Sequence, residues 1–306
     1  MLSINTTSVT VTGGGGFIPF ALELDHPASY LLFIFQYVFA TTAVLLAGTV
    51  VIGIMATKAL LAQNRFIFML NTCICDTCTG LSVYYLGLFD VQEGYPSRNG
   101  TYNMLPALLG VNIMTFLFAQ FDRYFAICHP FIYSRFVRRW VVVCITIFCW
   151  LQVYSQSVIA VFLPLSKAIE MYVFGVVSLQ IIVVTKIAMT IKLYIVANYQ
   201  LRREPPSAER DNKRESLQII IVVVVTFLTL WMPSFINIIL RLLLRRGLQF
   251  KNDSTNPFAI MARLNAITTS VIYTCSSPAL RGAMARVWGG RRAGRCCSTR
   301  IRSAKK

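Results

Sequence analysis

The chain has 306 residues, of which 56% are hydrophobic and only 13% charged, and its mean hydropathy of +0.62 excludes an ordinary water-soluble domain. The net charge of +17 is not a nucleic-acid face, because the basic residues are divided among the gaps between apolar segments, where anionic membrane lipid is the simpler partner. With His26 and His129 the sole histidines, and no nucleophile–base pair or metal cluster readable, an enzyme is not expected.

Spanning a bilayer takes roughly 20 apolar residues per helix. Seven stretches qualify, at about 30–56, 66–90, 103–127, 140–163, 171–197, 217–244 and 258–277. Met1 to Asp25 shows no basic start and carries Gly13 to Gly16 where a secretory signal needs an apolar core, so the first span is expected to act as its own insertion signal. The chain divides into an outer N-terminal segment at 1–29, a helical membrane domain at 30–277 and an inner basic tail at 278–306. Most of the 29 Lys and Arg fall on one side: Lys58 and Arg65, then Arg123, Arg135, Arg138 and Arg139, then Lys192, Arg202, Arg203, Arg210, Lys213 and Arg214, then the tail from Arg281 to Lys306. That side is expected to be cytoplasmic. The glycosylation sequons at Asn5, Asn99 and Asn252 all fall in the opposite gaps, as an outer N-terminus requires.

Within the spans, a charge is costly and marks a candidate functional residue. The first span carries Thr49 in Gly48-Thr49-Val50-Val51, the second Asp76 in Asn71-Thr72-Cys73-Ile74-Cys75-Asp76, and the third closes with Asp122-Arg123-Tyr124. The fourth holds Trp150 and the fifth Lys186, which needs an acid, a cavity or a snorkelling path to water. Cys73, Cys75 and Cys78 mimic metal spacing, but inside a span they also suit small apolar packing. The gap 164–170 is short. The gap 199–214, with Pro205-Pro206-Ser207, is an expected exposed connector with Ser207 and Ser216 as kinase sites. Cys296 and Cys297, in the basic tail, suit either palmitoylation or two unmodified thiols.

The run Phe121-Asp122-Arg123-Tyr124-Phe125-Ala126-Ile127-Cys128-His129-Pro130 resembles the signature that ends the third helix of rhodopsin-like (class A) G-protein-coupled receptors, odorant receptors above all. Phe227-Leu228-Thr229-Leu230-Trp231-Met232-Pro233 resembles their sixth-helix hinge, and Asn71 to Asp76 their second-helix motif. Trp150 lies where the fourth helix usually has a tryptophan, and Ser277-Pro278-Ala279-Leu280-Arg281 resembles the turn into an eighth helix. The resemblance implies an all-α membrane protein, a seven-transmembrane helix bundle with a short amphipathic eighth helix, in the plasma membrane. It implies that Asp122 pairs with Arg123 at rest and that Arg123, with Tyr124, meets a heterotrimeric G protein on activation, a task suited to a guanidinium's fixed charge and directed donors. Phe227, Trp231, Pro233, Tyr194 and Tyr273 would transmit the switch. Asp76, Thr49 and Thr269 would form a polar network holding a sodium ion, the single cofactor implied.

Several positions depart from the family. Thr49 replaces an Asn, Lys186 replaces a proline eight residues before Tyr194, and Thr269-Ser270-Val271-Ile272-Tyr273 replaces Asn-Pro-x-x-Tyr. Arg98 stands where the cysteine of an outer disulfide belongs, a bridge that melanocortin receptors also lack. Lys213 stands near where some relatives place an acid that locks the arginine, so ligand-free activity is expected.

Spacing within the family assigns Leu105, Leu109, Asn112, Trp231, Phe235 and Arg263 to a ligand pocket. Leu105 replaces the aspartate of amine receptors and Arg263 the retinal-bearing lysine of opsins, which argues against both ligand classes. The expected ligand is a small extracellular odorant, or an apolar acid anchored by Arg263, with Arg241, Arg245, Arg246 and Lys251 nearby. Those basic residues meeting lipid headgroups is the plainer alternative. A receptor outside olfaction for a lipid, peptide or small anion, a multi-pass transporter, and a non-signalling scaffold also stay open, although no internal repeat favours a transporter.

Overall fold

The computed structural model describes residues 27–86, 104–203, 208–243 and 257–288, and the regular structure among them is helical throughout. Asn5, Asn99, Asn252, Arg98, Ser207, Cys296 and Cys297 lie outside the described residues. In chain order the helices are α1 (Pro27–Met55), α2 (Lys58–Leu61), α3 (Asn64–Leu86), α4 (Met104–Cys128), α5 (Pro130–Phe136), α6 (Arg139–Phe162), α7 (Leu165–Arg203), α8 (Ala208–Leu243), α9 (Pro257–Ser276) and α10 (Pro278–Trp288). The long helices α1, α3, α4, α6, α7, α8 and α9 fall on the seven apolar stretches. By length and composition alone, Ser29–Met55, Asn64–Tyr84 and Val177–Val196 are long and apolar enough to cross a membrane, with Ile221–Asn237 a shorter apolar piece.

Two connections differ from expectation. The gap 164–170 shrinks to Leu163 and Pro164, because Leu163 takes an extended backbone (φ −87°, ψ 150°) and a residue before proline is pushed out of the helical region. At 199–214, α7 and α8 run on as helices and leave 204–207 between them. Ala, Glu, Arg and Lys on either side of Pro205-Pro206 favour helix, so α7 and α8 reach 39 and 36 residues.

The bundle closes as a ring in which α1 packs on α3 and α9, α9 on α8, α8 on α7, and α7 on α4, while α4 also touches α3 and α6. Lipid tails are as apolar as the side chains, so helices associate through close contact and hydrogen bonds rather than escape from water. At the α1–α3 seam, Ala40, Ala43 and Ala47 are buried and let the backbones approach. A side chain at Gly80 would meet Val44 Cγ2 at 2.8 Å and the Ala40 carbonyl oxygen at 3.2 Å, so α3 can lie this close only with a glycine there. Outward faces are apolar: Leu31, Ile34, Leu45, Ile147, Leu151, Ile181 and Val184 are exposed. Pro233 sits inside α8, where it removes a backbone hydrogen bond and permits a kink.

α10 is the amphipathic short helix. Pro278 opens it, the Ser277 hydroxyl accepts from the Leu280 amide at 3.4 Å, and a hydroxyl before a proline is a common way to start a helix. Leu280 and Ala283 are buried while Arg281 and Arg286 stay exposed or half-exposed. The helix docks against α1 and α9, with Met284 Cγ 3.0 Å from the Cβ position of Gly53.

Candidate functional site

At one end of the bundle α3, α4, α8 and α9 enclose a cavity of about 560 Å³, its open mouth included, lined by Arg65, Thr72, Phe116, Arg123, Val223 and Tyr273 among others. It brings together Arg123 of α4 and Tyr273 of α9, which lie far apart in the sequence. Beside the cavity Arg123 Nη2 lies 3.4 Å from Asp122 Oδ2. The Tyr133 hydroxyl in α5 donates to Asp122 Oδ1 at 3.1 Å and accepts from Asn64 Nδ2 at 3.1 Å. Burial, with the Asp122 carboxylate adding to it, pushes the Tyr133 phenol up and keeps it a donor. Asp122 is thus held from two sides, and Tyr133 is a partner the sequence reading missed. Tyr124 packs by Leu193, and Lys192 Nζ lies 4.9 Å from its ring centre.

Helices α3, α4 and α6 are joined through one amide. Asn71 Nδ2 donates to Thr115 Oγ1 at 2.7 Å, and Trp150 Nε1 donates to Asn71 Oδ1 at 2.8 Å. One turn further along α3, Asp76 is buried and its Oδ1 accepts from Asn112 Nδ2 at 2.8 Å. Asn112, expected in the ligand pocket, is turned by α4 toward α3 and bonds Asp76 in this network. Asp76 Oδ2, Asn112 Oδ1 and the hydroxyls of Thr72 and Ser270 are buried with no hydrogen-bond partner. A carboxylate with orphaned neutral oxygens is the donor set of a hard cation, so the residues present fit a sodium ion. Thr269 is buried and donates to Asn265 Oδ1 at 3.3 Å. Thr49 spends its hydroxyl on the Leu46 carbonyl of its own helix at 2.8 Å, since a threonine, unlike the expected asparagine, is too short to reach beyond it.

Toward the other end, α8 presents a column of rings. Phe235 and Trp231 have centroids 5.3 Å apart, Trp231 and Phe227 are stacked at 5.5 Å, and Phe227 meets Phe116 of α4 edge-on at 5.7 Å. Phe116 in turn lines the cavity. Lys186 of α7 is fully buried with its Nζ 3.9 Å from the centre of the Phe227 ring and 4.8 Å from that of Phe116. Among the described residues it pairs with no acid and instead faces two aromatic rings.

Tyr194, expected to join the switch, is 55% exposed. Leu193 takes the inward position against Tyr124, Ile127 and Ile221, and the next residue is turned about 100° away on a helix. Of the pocket residues, Trp231, Phe235 and Arg263 are buried and Leu109 packs against the main core. Leu105 lies in the first turn of α4, without a described side chain. Cys73 and Cys75 are buried and unbridged, and no metal-holding group of His, Cys, Asp or Glu occurs among the described residues.

No curated protein matches the chain. The model of the seven-transmembrane receptor (rhodopsin family) matches residues 47–278, well over half the chain, and covers every site described above. A cavity at an arginine–aspartate pair, a proline inside α8 and a buried α3 carboxylate are arranged within that matched region. The chain is a multi-pass membrane receptor and belongs to the rhodopsin family of seven-transmembrane receptors.

Proposed function

We propose that the protein converts occupancy of an outer pocket by a small ligand into movement of α8 away from α4, admitting a heterotrimeric G protein to the cavity at Arg123. The observation that carries this reading is the unbroken line of rings Phe235, Trp231, Phe227 and Phe116, which runs from the expected pocket to the cavity wall. A ligand that displaces Trp231 must disturb Phe227, and Pro233, which weakens the helix by removing a backbone hydrogen bond, lies between Trp231 and Phe235. The Arg- and Lys-rich side of the chain supplies electrostatic steering toward the G protein and anionic inner lipid.

The experiment is G-protein activation in transfected cells, wild type against Arg123→Ala at matched surface expression, without ligand and then across odorants, fatty acids and peptides. A basal or evoked signal lost in the variant is expected. Equal signals in both would contradict the reading and favour a non-signalling scaffold or a transporter.

We infer an outer N-terminus bearing glycans at Asn5, Asn99 or Asn252; a mobility unaffected by glycosidase would count against it. Palmitoylation of Cys296 and Cys297 is tested by palmitate labelling, which Cys→Ser exchange at both should remove. An allosteric sodium ion at Asp76 would be stabilised by the oxygens of Asn112, Thr72 and Ser270. Sodium dependence of signalling that survives Asp76→Asn would rule it out. The ligand reading is an odorant or a small apolar acid with Arg263 as its counter-ion, supported by the odorant-receptor-like run from Phe121 to Pro130. Unchanged potency of every active ligand on Arg263→Ala would exclude the acid.

A further inference from the structure

α7 is an edge helix, with Phe174, Val177, Ile181, Val184, Ile191 and Ile195 all exposed. Lys186 alone among its charged residues with a described side chain is turned fully inward. Its Nζ has no hydrogen-bond partner, and among the described residues no carboxylate forms an ion pair with it. What faces the nitrogen is the π surface of Phe227 at 3.9 Å and of Phe116 at 4.8 Å. A ring face attracts a cation through its quadrupole, most strongly where water is absent.

The two rings are not equivalent in what ties them to α7. One turn beyond Lys186, Gln120 Nε2 of α4 donates to Thr190 Oγ1 of α7 at 2.6 Å, and Thr190 donates to the Lys186 carbonyl at 2.7 Å. Gln120 is itself one turn from Phe116. Lys186 and Phe116 are therefore fastened to one another through the α4–α7 contact, whereas Phe227 rides on α8. Any movement of α8 away from α4 leaves the lysine with its more distant ring and removes the nearer one.

We propose that Lys186 is a positioning residue of the α8 switch: its ammonium, seated between Phe116 and Phe227, holds α8 against α4 and opposes opening of the cavity. This rests on the receptor reading above. A ligand acting at Trp231 has to overcome the latch through Phe227, and the latch sets how much signal the protein gives with no ligand at all.

The test is ligand-free G-protein activation at matched surface expression. Lys186→Met keeps the length and bulk of the side chain and removes its charge, and is expected to raise the signal several-fold. Lys186→Arg restores a cation and is expected to bring the signal back to within about twofold of wild type. A packing role alone would give the opposite order, with Met tolerated and the bulkier Arg not. Phe227→Leu is expected to raise the signal by itself, and Lys186→Met to add nothing to it, since both remove one interaction. A Lys186→Met signal equal to wild type, or Lys186→Arg equal to Lys186→Met, would overturn the latch. Should Lys186→Met not reach the surface, Phe116→Leu decides in its place: a rise with the lysine intact supports the latch, and an unchanged signal overturns it. Arg123→Ala added to Lys186→Met separates the two readings. A gain that survives it would overturn G-protein coupling through Arg123, whereas no gain over an Arg123-dependent basal signal would overturn the latch alone.

Discussion

α3 and α7 are both long and apolar enough to cross a membrane, yet 72% of the apolar window of α3 is buried in the bundle against 17% of that of α7. The buried helix is the more polar one. α3 turns Asn71, Thr72, Asp76, Thr79 and Ser82 inward, while α7 turns Ile181, Val184 and Ile191 out. In lipid, apolar surface gains nothing by being inside, so the interior is made by hydrogen bonds and by backbones that approach closely. Function concentrates in α3 and its neighbours for the same reason, and Lys186 is where α7 takes part in it.

This contrast predicts a graded response to substitution. Gly80→Val, at the α1–α3 seam, should be the most damaging, because the added atoms meet Ala40 backbone and Ala43 as well as Val44. A loss of about 1–3 kcal/mol from overpacking should appear as a lowered unfolding midpoint in detergent and reduced surface delivery. A midpoint equal to wild type would show that α1 and α3 are not held this close. Asn71→Leu comes next: it leaves Trp150 Nε1 and Thr115 Oγ1 without their partner, a cost of about 1–3 kcal/mol, read in the same melt. If Trp150→Phe already costs as much and the double variant no more, the link through Asn71 is the shared cause. Val184→Ala on the outward face of α7 should change stability by less than about 0.5 kcal/mol. A large loss there would mean that α7 packs against something other than lipid.

The number of long helices, the Asp122–Arg123 pair, the proline inside α8 and the buried Asp76 were legible because each leaves a mark in one dimension. The phase of the apolar helices was not. α7 has apolar residues all round, so nothing in its sequence says that Leu193 rather than Tyr194 faces the core. The destination of Asn112 was unreadable for the same reason, since either the outer pocket or Asp76 would satisfy a buried amide. Lys186 was legible as an anomaly but not as a contact, because its partners come from α4 and α8, far away in the chain. The reach of α7 to Arg203 and of α8 back to Ala208 was hidden by the polar, proline-containing composition of 199–214.

The most direct test of the central claim is the distance between α6 and α8 at the cavity end. Spin labels on the exposed Arg139 and Arg214, introduced as cysteines with the exposed Cys144 and Cys275 replaced, report it in the purified receptor with and without nucleotide-free G protein. The distance is expected to be several ångströms longer with G protein bound, with no such change once Arg123→Ala is added. An unchanged distance in a complex that still forms would contradict it.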